Sequence, residues 1–170
     1  MTEYLNNDEY NPYYGAYIDK ATSTDIIEGL SYNLKSISTF FESIPKSKED
    51  YAYADGKWTI KDILLHLIDT ERVFSYRALR IARGDSTPLP GFDQDLYVEN
   101  ALARNRTMTS LIEEYKSLRQ STLTLFKTFT PEMLISTGTA SDSAISVRAI
   151  GYILSGHENH HKIIIEDRYL

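Results

Sequence analysis

The residues best suited to chemistry are four histidines, His66, His157, His160 and His161. On a helix, His157 and His161 lie one turn apart on one face, so two imidazoles can converge on one ion, as in other helical His-x-x-x-His sites. His160 is rotated to the flank. His157 and His161 also interrupt an apolar stripe, Ile150, Leu154, His157, His161, Ile164 and Arg168, at positions where Leu or Ile is expected. An unpaired imidazole buried there costs free energy, so a metal ion or a satisfied hydrogen bond must offset it. His66 supplies a third ligand from another helix, at the edge of that helix's stripe. Three His ligands leave a fourth position for water or substrate, the pattern of a catalytic zinc site. Zinc or nickel is the first expectation, with iron, manganese and cobalt as alternatives. Because the ligands must be neutral, binding should weaken as pH falls through the histidine range, near ~6.5 or somewhat lower.

Three acids lie close to these histidines in sequence: Asp69, Glu71 and Glu158. Glu71 falls on the inward stripe and is the candidate catalytic residue, as a base or as the group that orients a ligand. The alternative is a buried partner for a cation such as Arg77 or Arg168. Asp69 and Glu158 read as solvated surface acids. Trp58 is expected to fill a bundle end. Asp93 and Asp95 read as exposed loop acids, with capping of a pocket as the other reading.

The elements that position these residues follow from apolar spacing. Residues 1–20 form a Tyr-rich arm with Tyr4, Tyr10, Tyr13, Tyr14 and Tyr17, able to pack against a body but not to build a core. Residues 21–170 form the body. Thr22 with Asp25 resembles a capping box, and Ile26, Leu30, Leu34, Ile37, Phe41 and Ile44 make the first stripe. Pro45 stops it. Thr59 with Asp62 opens a second helix whose stripe is Ile60, Ile63, Leu64, Leu67, Phe74, Ala78 and Ile81. A long connection, 84–100, follows. The third stripe is Leu111, Tyr115, Leu118, Thr122, Leu125 and Phe129, ended by Pro131, with one further short turn after it. Residues 136–144 read as a loop. The fourth helix begins near Ser146 and echoes the second in pattern: cap, apolar, base, small or acid, apolar. Helices are therefore predicted near 22–44, 59–83, 104–129 and 145–168, with no period-two segment. The fold class is an all-α four-helix bundle with long crossover connections.

Composition narrows the function. Hydrophobic residues at 42% and charged residues at 25% are an ordinary globular balance. With no cysteine, disulfides, zinc ribbons and thiol nucleophiles are excluded. Acids exceed bases by 24 to 18 and no basic run exists, which argues against nucleic acid as a partner. No apolar run approaches the ~20 residues that span a bilayer, and residues 1–20 lack a signal-peptide core. The expectation is a cytoplasmic protein with a small-molecule substrate.

Two segments carry a family resemblance. Trp58-Thr59-Ile60-Lys61-Asp62-Ile63-Leu64-Leu65-His66-Leu67-Ile68-Asp69-Thr70-Glu71-Arg72 resembles the first metal motif of the DinB-like (damage-inducible) superfamily. Gly156-His157-Glu158-Asn159-His160-His161 resembles its second motif, in which the first and last His are ligands. The loop Leu89-Pro90-Gly91-Phe92-Asp93-Gln94-Asp95 is similar to a stretch common in one branch. The resemblance spans residues 22–168. It implies a four-helix bundle, one divalent ion on His66, His157 and His161, and a homodimer. It further implies thiol-dependent S-transfer with a low-molecular-weight thiol such as bacillithiol, mycothiol-dependent isomerisation, or hydrolysis. Two classes of function follow: a metal-dependent enzyme, or a non-enzymatic bundle that binds metal or sequesters a ligand. An incomplete ligand set favours the first.

Overall fold

A computed structural model describes Leu5, Asn6 and residues 8–170; Tyr4, one of the arm tyrosines, lies outside the described residues. The bundle is made by α2 (Ile26–Glu42), α3 (Ile60–Ala82), α5 (Met108–Phe126) and α7 (Val147–Arg168). These are the four expected helices, trimmed at their ends. Each of α2 and α3 packs on both α5 and α7. Consecutive α2 and α3 therefore sit diagonally, which is why the links between helices must be long. Two apolar cores fill the space, one around Phe41, Leu64, Leu111 and Ile165, the other around Leu30, Ala78, Leu123 and Ile150.

The echo between the second and fourth helices has a local cause. Thr59 accepts from the Asp62 amide and Asp62 answers from its side chain, closing a capping box; Ser146 accepts from the Ala149 amide. At α2 the expected cap is corrected. Asp25, not Thr22, is the N-cap, accepting from the Glu28 amide, because Ser23 Oγ ties Glu28 to the turn at 2.7 Å.

Two further expectations are corrected. Residues 136–144 are not simply a loop. They contribute to a hairpin of β1 (Thr137–Ala140) and β2 (Ser143–Ser146), turned by Ser141 and Asp142 at φ 50° and 59°. Left-handed backbone at both central positions is what a tight two-residue hairpin requires. Strands of four residues built from Thr, Gly, Ala and Ser leave too little apolar alternation to read. The 84–100 connection contains α4 (Gln94–Ala101), which Asp93 caps through the amides of Asp95 and Leu96. No face of α4 is buried, so no apolar stripe marks it. The expected short turn after the third helix is α6 (Pro131–Ile135).

The arm forms a 3-10 turn, Pro12–Tyr14, and one helical turn, α1 (Gly15–Ile18), laid on α7. Gly156 makes this seat. A Cβ there would stand 1.8 Å from the Tyr17 carbonyl oxygen, a backbone atom that no rotamer change can move. Gly156→Ala should therefore lift the arm, and limited trypsinolysis at Lys20 should accelerate by about tenfold or more. An unchanged cleavage rate would mean that this seat does not hold the arm.

Candidate metal centre

The structure brings three of the four histidines together. His66 projects from α3, and His157 and His161 from adjacent turns of α7. His66 Nε2 lies 3.2 Å from His157 Nε2, and His161 Nε2 lies 3.0 Å from the same atom. The three ligand atoms all lie within 4.8 Å of one another. His160 stays on the flank, its ring 5.1 Å from that of Tyr17.

These residues fit a divalent ion. Tetrahedral bonds of ~2.0–2.1 Å place neighbouring nitrogens ~3.3 Å apart, close to the 3.2 and 3.0 Å that separate His66 and His161 from His157. Charge state fits as well. Burial pushes His66 down to about 4. Burial, reinforced by neighbouring imidazoles, pushes His161 down to about 3 and His157 well below its usual value. All three are thus neutral at ordinary pH, the form a metal requires. Without an ion, His157 Nε2 is crowded by two like nitrogens and can satisfy only one tautomer at a time.

His66 is more enclosed than its position at the edge of a stripe implies, only 4% exposed. Helix α3 is covered on most of its circumference, by the neighbouring helices and by the links, so its edge is interior too. Trp58 does more than fill an end. Its ring lies 4.7 Å from His66 and 6.5 Å from His161, nearly parallel to the latter. Tyr17 from the arm meets His157 edge-on at 5.1 Å. Aromatic rings from the arm and from the link before α3 thus wall the cluster.

Beside the cluster lies a cavity of about 240 Å³, lined by His66 and His157 together with Tyr14, Thr70, Phe74 and Ser141 among others. A second cavity, about 260 Å³, meets His161 from the side of Trp58, Asp95 and Tyr169.

Two acids near the ligands do not behave as surface groups. Arg119 of α5 is fully buried, and it gathers carboxylates from α3 and α7. Its Nε and Nη2 donate to the two oxygens of Glu71 at 2.8 and 2.9 Å. Nη2 and Nη1 donate to Glu158 at 2.6 and 3.1 Å, and Nη1 also reaches the Leu30 carbonyl of α2 at 3.3 Å. Asn33 of α2 donates to Glu158 at 3.0 Å. Glu158 is therefore a buried, paired acid and not a solvated one. Burial raises its pKa while Arg119 opposes the rise. The cation beside Glu71 is Arg119; Arg77 turns instead to the Pro90 carbonyl at 2.7 Å, and Arg168 is exposed. Asp69 is half-buried and pairs with Arg72 at 3.3 Å. Asp93 serves as the α4 cap, while Asp95 lines the second cavity.

Arg119, Asn33 and Thr70 escaped the sequence reading. The third stripe, expected through Leu118, is corrected: the buried line runs Leu111, Tyr115, Arg119, Thr122, Phe126. The signal for Arg119 was Glu71, an acid on an inward face that needs a cation on a facing helix.

The family described as the DinB superfamily matches residues 30–165. The chain belongs to the DinB superfamily. Among solved structures it is similar to YfiT from Bacillus subtilis, described as "a probable metal-dependent hydrolase with an unusual four-helix bundle topology". The TM-score is 0.70 at 17% identity, covering 96% of this chain and 89% of YfiT. That likeness shows the fold. No curated protein matches the chain. No helix among the described residues is long and apolar enough to cross a membrane.

Proposed function

We propose that this DinB superfamily protein is a divalent-metal-dependent enzyme acting on a small molecule, with His66, His157 and His161 as the ligands of one ion. The observation that carries the reading is three convergent, neutral Nε2 atoms beside a cavity that two of the same histidines line. Zinc or nickel suits an all-imidazole set best, with iron, manganese and cobalt also compatible. A bound ion would supply Lewis acidity, lowering the pKa of a water or thiol or polarising a substrate oxygen. Trp58 and Tyr17 restrict water around the ligands. Glu71 we read as a positioning residue in place of a base, since both its oxygens accept from Arg119. Hydrolysis, as in the description of YfiT, and thiol S-transfer both suit such a centre. A homodimer, on the strength of the family resemblance, and a place in the cytoplasm, on the absence of cysteine and of any bilayer-spanning run, complete the proposal.

The test is metal content by mass spectrometry on protein purified without an affinity tag. The native protein should carry about one ion per chain. His66→Ala, His157→Ala and His161→Ala should each lose most of it, while His160→Ala keeps it. Retention in all four variants, or a native protein that never binds metal, would sink the reading.

A further inference from the structure

The cavity beside His66 and His157 has a chemistry of its own. Thr70 is only 6% exposed, lines this cavity, and its Oγ1 has no hydrogen-bond partner. A buried hydroxyl left unmade costs free energy unless a ligand completes it. Across the cavity stands Ser141, at the hairpin turn. Its Oγ accepts from Arg77 Nη2 at 3.0 Å, which leaves its own proton available to donate.

Arg77 is the second independent observation. It is 2% exposed, and among the described residues it makes no ion pair with a carboxylate. Its contacts are the Pro90 carbonyl, Ser141 Oγ, the Tyr14 phenol and the faces of Phe74 and Phe92. A buried guanidinium without an anion is costly. The contrast with Arg119, which holds two carboxylates, is direct. The chain has 24 acids, yet no Asp or Glu is among the residues lining this cavity. Phe74, Phe92 and Ile153 give the wall an apolar portion, and Gln94 and the tyrosines Tyr13, Tyr14 and Tyr17 add neutral polar groups. Positive charge behind neutral donors, with no competing carboxylate, selects an anion and repels a cation. The volume, about 240 Å³, restricts that anion to a small molecule.

We propose that this cavity takes the carboxylate of a small organic acid with an apolar body. Thr70 Oγ1 and Ser141 Oγ donate to the carboxylate, and Arg77 supplies the countercharge through Ser141 and Tyr14. Arg77 is then a positioning residue. The inference deepens the metal-enzyme reading by naming the class of substrate for the same site, and it rests on that reading only for what happens to the acid after it binds.

Benzoate and its neutral counterpart benzamide test it, titrated by chemical-shift perturbation into the zinc-loaded protein and into the chelator-treated protein. Benzoate should bind about tenfold tighter than benzamide in both states, with shifts clustered at Thr70, Ser141 and Phe74. Thr70→Val should weaken benzoate by roughly fivefold, leave benzamide within about twofold, and leave the melting temperature unchanged or higher, because it removes only an unpaired hydroxyl. Arg77→Gln should abolish the preference for benzoate. Should it also unfasten the hairpin, Thr70→Val carries the test. Equal binding of the two probes, or a Thr70→Val protein that binds benzoate like wild type, overturns the inference even if metal binding is normal. A benzoate preference that survives in a protein unable to bind metal would uphold the carboxylate subsite and fail only the metal reading.

Discussion

Arg119→Met should destabilise the protein by about 3–5 kcal/mol, a large share of the roughly 5–15 kcal/mol that holds an ordinary domain folded. The reason is what remains. With Arg119 gone, Glu71 and Glu158 face each other, both almost fully buried, with no cation between them. Breaking a buried pair from one side is far worse than removing it whole. Two further results should follow. The penalty should shrink on acidification, because Glu158 already has a raised pKa and loses the cation that most opposes the rise, leaving only the Asn33 hydrogen bond to lower it, so a proton neutralises it more readily. Urea unfolding at pH 8 and pH 5.5 reads this directly. A triple variant, Arg119→Met with Glu71→Leu and Glu158→Met, should recover most of the stability. A loss below about 1 kcal/mol at both pH values would mean that the network does not bear on stability as argued.

Removing metal should have an effect of similar size. An ion that binds the folded chain only, at a thousand times its Kd, stabilises by about 4 kcal/mol, so chelation should lower the melting temperature sharply. The stripped protein should also become acid-sensitive. In the unfolded chain His66 and His161 titrate near ~6.5. In the folded chain burial holds them at about 4 and about 3. Between those limits the unfolded state takes up protons that the folded state refuses. Their contribution is therefore fully present above pH ~6.5 and is lost as pH falls toward 4 and then 3. For His66 alone the full span is worth about 3 kcal/mol. Calorimetry from pH 7.5 to 4.5 on chelator-treated protein checks it, and a flat stability profile would refute it. The same depression refines the expected pH range of binding. Protons compete for the folded site nearer pH 4 than 6.5, so metal loss above that range should accompany unfolding.

Much of this was legible in the sequence because it rests on spacing. The four helices follow from apolar stripes, and the pairing of His157 with His161 follows from one helical turn. The fold and family expected from the two motifs are those found. What escaped has a common physical character. The hairpin and α4 are short and polar-faced, so neither casts a periodic pattern. Glu158 and Arg119 are charges, and a charge in isolation reads as solvated. Only the meeting of four helices turns them into a buried network, and no single stripe contains that information. The unpaired Thr70 hydroxyl is invisible for the same reason, since whether a hydroxyl has a partner depends on residues far away in the chain.

The position of Trp58 has a practical outcome. It is the only tryptophan in the chain, and its ring lies 4.7 Å from one proposed ligand and 6.5 Å from another. The protein thereby carries its own optical reporter. Indole emission is quenched at such range by open-shell ions such as nickel, cobalt or copper, and by a protonated imidazole, whereas closed-shell zinc leaves it bright. The emission intensity of a single tryptophan would therefore tell an open-shell ion from zinc at the histidines, in dilute solution and without any label.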